Sequence, residues 1–166
     1  MAVLPIVTWP DPRLTRPCAP VGEAAGDPDV AQLAADMLET MYAAPGRGLA
    51  GPQVGVLRQI FVMDTGWRSG TPCPRVLIDP ELLWLSDDRA TGPEGCLSIP
   101  GLTTQVARAR QVRIAWRDLT GARHQALLDG FDAICAQHEW DHLQGIVTLD
   151  RLAPADRAAA LAQLAP

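Results

Sequence analysis

No stretch of this sequence approaches the roughly 20 consecutive apolar residues that a membrane-spanning helix requires. The opening residues, MAVLPIVTWPDPRL, lack the basic segment of an export signal, and Pro5 interrupts what apolar character they have. A cytoplasmic location, away from membranes, is therefore the expectation. Excess positive charge is also missing: 19 acidic residues against 14 basic ones give a net charge of −5. That excludes a broad basic surface, so direct nucleic-acid binding is not expected. Neither an internal repeat nor a long low-complexity linker divides the chain, and residues 1–166 are expected to form one domain with a substantial core. Without an export signal, the four cysteines (Cys18, Cys73, Cys96 and Cys135) read as free thiols or a metal ligand, not as disulfides.

What is present falls into short elements. Residues 10–28 are rich in Pro and Gly and form an irregular lead-in. Asp27 is placed as an N-cap with Pro28 at the first helical position. Val30, Leu33, Ala34, Met37, Leu38 and Met41 then recur at helical spacing as far as Ala44. Residues 59–63, 75–78 and 82–85 are short apolar runs bounded by turn residues, which predicts three strands. Residues 111–117 alternate, 118–121 (DLTG) turn, and 124–128 return as the partner strand. After Gly130, the residues Phe131, Ile134, Cys135, His138, His142 and Leu143 share one sector of a helix, with Gly145 as the stop. An Ala-rich helix closes the chain from Pro154. The sum is an α+β fold, with mixed or antiparallel sheets around a central helix. Trp9, Trp67, Trp84, Trp116 and Trp140 read as packing residues, Cys18 and Cys73 as loop thiols, and His124 as an exposed strand residue.

Histidine is scarce, and two of the three histidines fall in His138-Glu139-Trp140-Asp141-His142, an HExxH sequence. Residues four apart on a helix differ by about 40° in rotation and roughly 6 Å along the axis, so both imidazoles can reach one ion. In such motifs the glutamate lies beside the ion's water and moves its proton. A pair of ordinary core or surface histidines is the plainer alternative. Against it stands the surrounding apolar helix, where two imidazoles and two carboxylates need a reason.

A catalytic ion needs a third ligand and an open position. Asp150 and Asp156 are acidic candidates downstream, but neither stands in a recognisable pattern. Upstream, Glu94-Gly95-Cys96-Leu97-Ser98 frames a cysteine with residues typical of a loop or strand end. Glycine-dense Gly46-Arg47-Gly48-Leu49-Ala50-Gly51-Pro52-Gln53 matches no phosphate-binding fingerprint and reads as a connection whose last residue could offer an amide to an oxyanion.

Together, GRGLAGPQ, EGCLS and HEWDH resemble the three motifs of the peptide deformylase family, which occur in this order. The second and third match fully, including Asp141. Asp11-Pro12-Arg13-Leu14, Gly130, Gln137 and Asp150-Arg151-Leu152 extend the resemblance over nearly the whole chain. It implies an α+β fold with sheets wrapped around the motif helix. It also implies one divalent metal ion on Cys96, His138 and His142 with water as fourth ligand. Fe²⁺ is favoured; Zn²⁺, Ni²⁺ and Co²⁺ are compatible with the same ligands. Glu139 would be general base and acid, and the Leu97 N–H and Gln53 side chain would stabilise the oxyanion. The implied reaction removes the N-formyl group from the initiator methionine of nascent peptides, releasing formate. The peptide would lie extended along Gly46, Arg47 and Gly48 and the segment after Ser98. The enzyme would be a monomer working near the ribosome.

The first motif departs from the family twice. Arg47 stands where an aliphatic residue lines the methionine pocket, and Gly51 replaces an alanine. Arg47 would either snorkel to solvent along its stem or narrow and charge the pocket. A changed preference for formyl-methionine follows as an expectation. Three competing readings are another formylated or acylated amide as substrate, a formyl-peptide binder without activity, and a purely structural metal.

Overall fold

The computed structural model describes residues 2–164; Met1, Ala165 and Pro166, which the one-domain expectation includes, lie outside the described residues. After a lead-in that contains two short 3-10 turns, helix α1 spans Pro28–Ala43. Strands follow in the order β1 (Gly48–Ala50), β2 (Ile60–Met63), β3 (Arg75–Leu85), β4 (Arg89–Cys96), β5 (Ile99–Ala109), β6 (Gln111–Arg117) and β7 (Arg123–Asp129). Helix α2 covers Gly130–Leu143 and helix α3 covers Pro154–Leu164. β1, β2, β3, β6 and β7 form a five-stranded sheet in that order, and β4 pairs with β5 as a separate hairpin. Among the described residues every pairing of these seven strands is antiparallel, which resolves the expectation of mixed or antiparallel sheets; a lone parallel bridge joins Ala19 to Arg58 outside them.

The sheet is covered on both faces. From β2, Ile60 and Val62 pack with α1 residues Met37 and Met41, while Phe61 and Met63 pack with α2 residues Ala133 and Ala136. All four β2 side chains are buried, which is why this strand reads as an unbroken apolar run. Helix α1 is amphipathic, burying Val30, Ala34, Met37 and Met41 at helical spacing. Helix α2 is buried on nearly every side, including Gln137, His138, Glu139, Asp141 and His142, so it is the central element of the fold.

Several expectations need correction. The runs 75–78 and 82–85 belong to one strand, because β3 passes through an irregularity between Ile78 and Glu81 where Asp79 takes a φ of 47°. The Asp79 carboxylate accepts from the N–H groups of Val21 and Gly22, which holds the lead-in against this bend. Part of the glycine-dense segment is strand β1 and not only a connection, whereas Cys96 stands at a strand end, as expected. Phe131 is turned out of the core, at 48% exposed, and Trp84 is likewise half-exposed. Cys18 lies in a loop, as expected, but that loop packs it into the core, and burial pushes its thiol up to about 11. His124 is exposed, as expected, and pairs with Asp118.

Candidate metal centre

Two elements bring the donor atoms together. On α2, His138 and His142 lie one turn apart, and their Nε2 atoms approach to 3.2 Å. Cys96 ends β4 just before the tight turn into β5, and its Sγ lies 3.3 Å from His142 Nε2. All three donor atoms fall within 4.8 Å of one another, and they could hold a metal ion. Ligands at about 2.0–2.3 Å from a tetrahedral ion stand roughly 3.3–3.6 Å apart, so these separations suit such a site. The imidazoles favour the thiolate: against a burial that would raise it, His142 and His138 hold the Cys96 thiol well below its ordinary range. Cys135 is excluded from the cluster; burial pushes its thiol up, and its Sγ donates to the Arg47 carbonyl at 3.5 Å.

A buried chain of charges orients one ligand. His138 Nδ1 lies 2.9 Å from Glu94 Oε2, an arrangement that puts the proton on Nδ1 and leaves the Nε2 lone pair for a metal. Arg108 grips both oxygens of Glu94, at 2.8 and 3.0 Å, and reaches Asp141 at 2.6 Å. Arg151 closes the chain on the far side of Asp141. Asp141 therefore acts on the site through Arg108 and Glu94, with Arg151 bracing it from behind, and not by touching a ligand. Sequence reasoning gave no role to Glu94, Arg108 or Arg151 in this chain. Glu94 stands two residues before Cys96, which is a usable signal; Arg108 and Arg151 carry none.

Glu139 is turned into the same cavity. It is 4% exposed, and burial pushes its carboxyl up to about 7. Gln53 Oε1 accepts from the Ala50 N–H at 2.8 Å, which directs Nε2 towards Ser98 Oγ at 3.2 Å and Cys96 Sγ at 3.6 Å. The cavity of about 510 Å³ is lined by Gly46, Arg47, Gly48, Gln53, Cys96 and Leu97 together with His138 and Glu139. His142 sits behind them, 1% exposed. Every residue that the family resemblance assigns to the metal, the proton transfer, the oxyanion or the peptide is thus at or against this one cavity, whereas Asp150 and Asp156 are neither in its lining nor in the donor cluster.

The wall formed by residues 46–48 is braced from behind. Trp67 Nε1 donates to the Gly46 carbonyl at 2.8 Å, and the Asp64 N–H donates to the Arg47 carbonyl at 2.9 Å. Asp64 in turn accepts from the Tyr42 hydroxyl at 2.8 Å, and the Tyr42 and Trp67 rings meet edge to face. Trp67 is therefore a support for the cavity wall, a role with no sequence signal. Arg47 keeps its Nε buried while its guanidinium lies 4.7 Å above the Phe131 ring, so it is a fixed part of the rim.

The chain is similar to known proteins along nearly its full length. Residues 3–158 match the model of the family described as polypeptide deformylase. A peptide deformylase of Alkalilimnicola ehrlichii is 46% identical over 157 residues, spanning 95% of this chain and 86% of that protein. One of Afipia carboxidovorans is 44% identical, spanning 95% of this chain and 91% of that protein. The crystal structure of peptide deformylase from Ehrlichia chaffeensis in complex with actinonin has a TM-score of 0.90 at 36% identity, covering 99% of this chain and 96% of that one. Fold, motif order and similarity along nearly the full length lead to one conclusion: the chain belongs to the polypeptide deformylase family.

Proposed function

We propose that this chain is a cytoplasmic, monomeric peptide deformylase that hydrolyses the N-formyl group of nascent peptides near the ribosome and releases formate. The observation that carries the reading is the convergence of Cys96 Sγ and two imidazole Nε2 atoms beside the buried Glu139 carboxylate in one cavity. Cys96, His138 and His142 would hold one divalent ion, Fe²⁺ by family resemblance. When bound, such an ion supplies Lewis acidity and brings the pKa of the water it holds from 15.7 to about 7. Glu139 takes a proton from the attacking water and delivers it to the departing amine. The Gln53 Nε2 and the Leu97 backbone N–H donate to the oxyanion that develops on the formyl oxygen, each worth about 3 kcal/mol of barrier.

β1 supports the proposed mode of peptide binding. Among the described residues it is the edge strand of its sheet, paired only with β2, and its N-terminal end at Gly48 faces the cavity. An extended peptide can add beside residues 46–48 through backbone hydrogen bonds.

The test is formate release from a short formyl-methionyl peptide by the Fe²⁺-loaded protein. Glu139→Gln should retain the metal, measured by elemental analysis, and lose at least about 100-fold in kcat. Comparable turnover by the variant would remove Glu139 from the reaction. No release by the metal-loaded native chain would favour the binder reading.

A further inference from the structure

Two guanidinium groups stand at the cavity with no carboxylate to meet them. Arg47 and Arg68 both line it. Among the described residues, neither forms an ion pair. Glu139 lines the same cavity but is buried beneath the rim and pairs with neither arginine, and the other carboxylates nearby are engaged elsewhere. Asp64 accepts from Tyr42, Trp67 and Cys73. Asp132 is held by Arg75 and Thr65. Glu94 is gripped by Arg108 and His138. Arg68 is exposed and reaches back to the Pro45 carbonyl at 3.5 Å. Arg47 is fixed by stacking on Phe131, whose 48% exposure marks the mouth of the cavity and not its floor. In a chain of net charge −5, this is a local reversal of sign at the entrance to the site.

We infer that Arg47 and Arg68 are specificity-determining residues that favour formylated peptides carrying a carboxylate just after the formylated residue. The inference rests on the deformylase reading for its substrate class. The formyl group has to reach Glu139 and the metal donors, so the chain that follows it leaves past the rim. A carboxylate there meets two fixed or nearby guanidinium groups that it can bind by paired N–H donors. The ligand chemistry is a carboxylate, from an acidic side chain or from the C-terminus of a very short peptide.

The experiment compares the Fe²⁺-loaded protein on C-terminally amidated formyl-Met-Glu-Ser, formyl-Met-Ala-Ser and formyl-Met-Lys-Ser, with free-acid formyl-Met-Ala to separate the two sources. In parallel, calorimetry measures binding of the unreactive, unformylated versions to the same protein. At low salt, kcat/KM should rank Glu above Ala above Lys, by about three- to tenfold per step, chiefly through KM. The ranking should shrink in about 0.5 M salt, where screening shortens the reach of exposed charges. It should vanish in R47Q/R68Q. Equal binding and turnover of the three amidated peptides would overturn the inference, as would a Glu preference that survives in the double variant. If only the free acid gains, the carboxylate recognised is terminal and the side-chain claim falls. A binding preference for Glu without any formate release would sustain the rim and overturn the deformylase reading alone.

Discussion

Gly48 leaves Glu139 its room. A Cβ placed on Gly48 would stand 2.8 Å from the Glu139 Cγ, a separation that real side chains do not tolerate. Glu139 is buried in a packed helix and cannot swing clear without losing its position in the cavity. Gly48→Ala should therefore lower kcat by tenfold or more while the metal content and the far-ultraviolet dichroism stay those of the native chain. Unchanged kinetics would show that the carboxylate relaxes freely. This glycine is readable from sequence only as part of a motif; the contact that demands it comes from a residue far along the chain. Gly51, the other departure in the first motif, has a different constraint: its Cβ would press on the Val56 and Arg58 carbonyls, so alanine there has no space in this chain.

At the scale of elements, the site depends on how α2 is keyed to the β4–β5 hairpin. Gln137 does part of this. Its amide accepts from the Ala109 N–H at 3.1 Å and donates to the Ala109 carbonyl at 2.9 Å, standing in for a neighbouring strand at the end of β5. Arg108, the residue before, spans Glu94 on the hairpin and Asp141 on α2. Arg108→Met would strip the buried Glu94 of its arginine and leave Asp141 to Arg151 alone, and should cost about 3–5 kcal/mol in urea-induced unfolding. A loss below about 1 kcal/mol would mean that Arg151 or water takes over.

The same elements show what was legible in the sequence. α1, α2, α3, β6 and β7 each carry a full periodic pattern or a flanking turn signal, and their positions were readable within a residue or two. The hairpin was not. β4 (RATGPEGC) holds two glycines and a proline, and the one side chain it fully buries is the charged Glu94, so its alternation in burial is not matched by an alternation of apolar residues in the sequence. It is a strand because β5 pairs with it along nearly its whole length. The metal donors and Glu139 were legible because a single ion imposes residue type and spacing at once. The charges behind them were not, because a buried ion pair constrains only distance in space.

For the molecule as a whole, acid is the informative perturbation. Burial alone would raise the Glu94 carboxyl, but its bonds to His138 and Arg108 prevail and hold it at about 2 instead of its ordinary 4.5. A carboxyl whose folded value is depressed contributes its full stability above about pH 4.5 and loses it as pH falls through about 2. That contribution is on the order of 3 kcal/mol. Asp11 is also held at about 2, by Arg13, but that pair is exposed and solvent-screened and adds little. In metal-free protein, native stability should therefore fall steeply between about pH 4.5 and 2, and Glu94→Gln should start lower and flatten that limb. An unchanged slope in the variant would assign acid sensitivity to other carboxyls.

The bond from Trp67 to the Gly46 carbonyl has an optical consequence. Indole emission responds to the polarity and hydrogen bonding of its ring nitrogen, and here that nitrogen is tied to the very backbone along which a peptide would lie. The cavity wall thus carries its own unlabelled fluorophore, and the difference between the native chain and Trp67→Phe isolates its signal from the other four tryptophans.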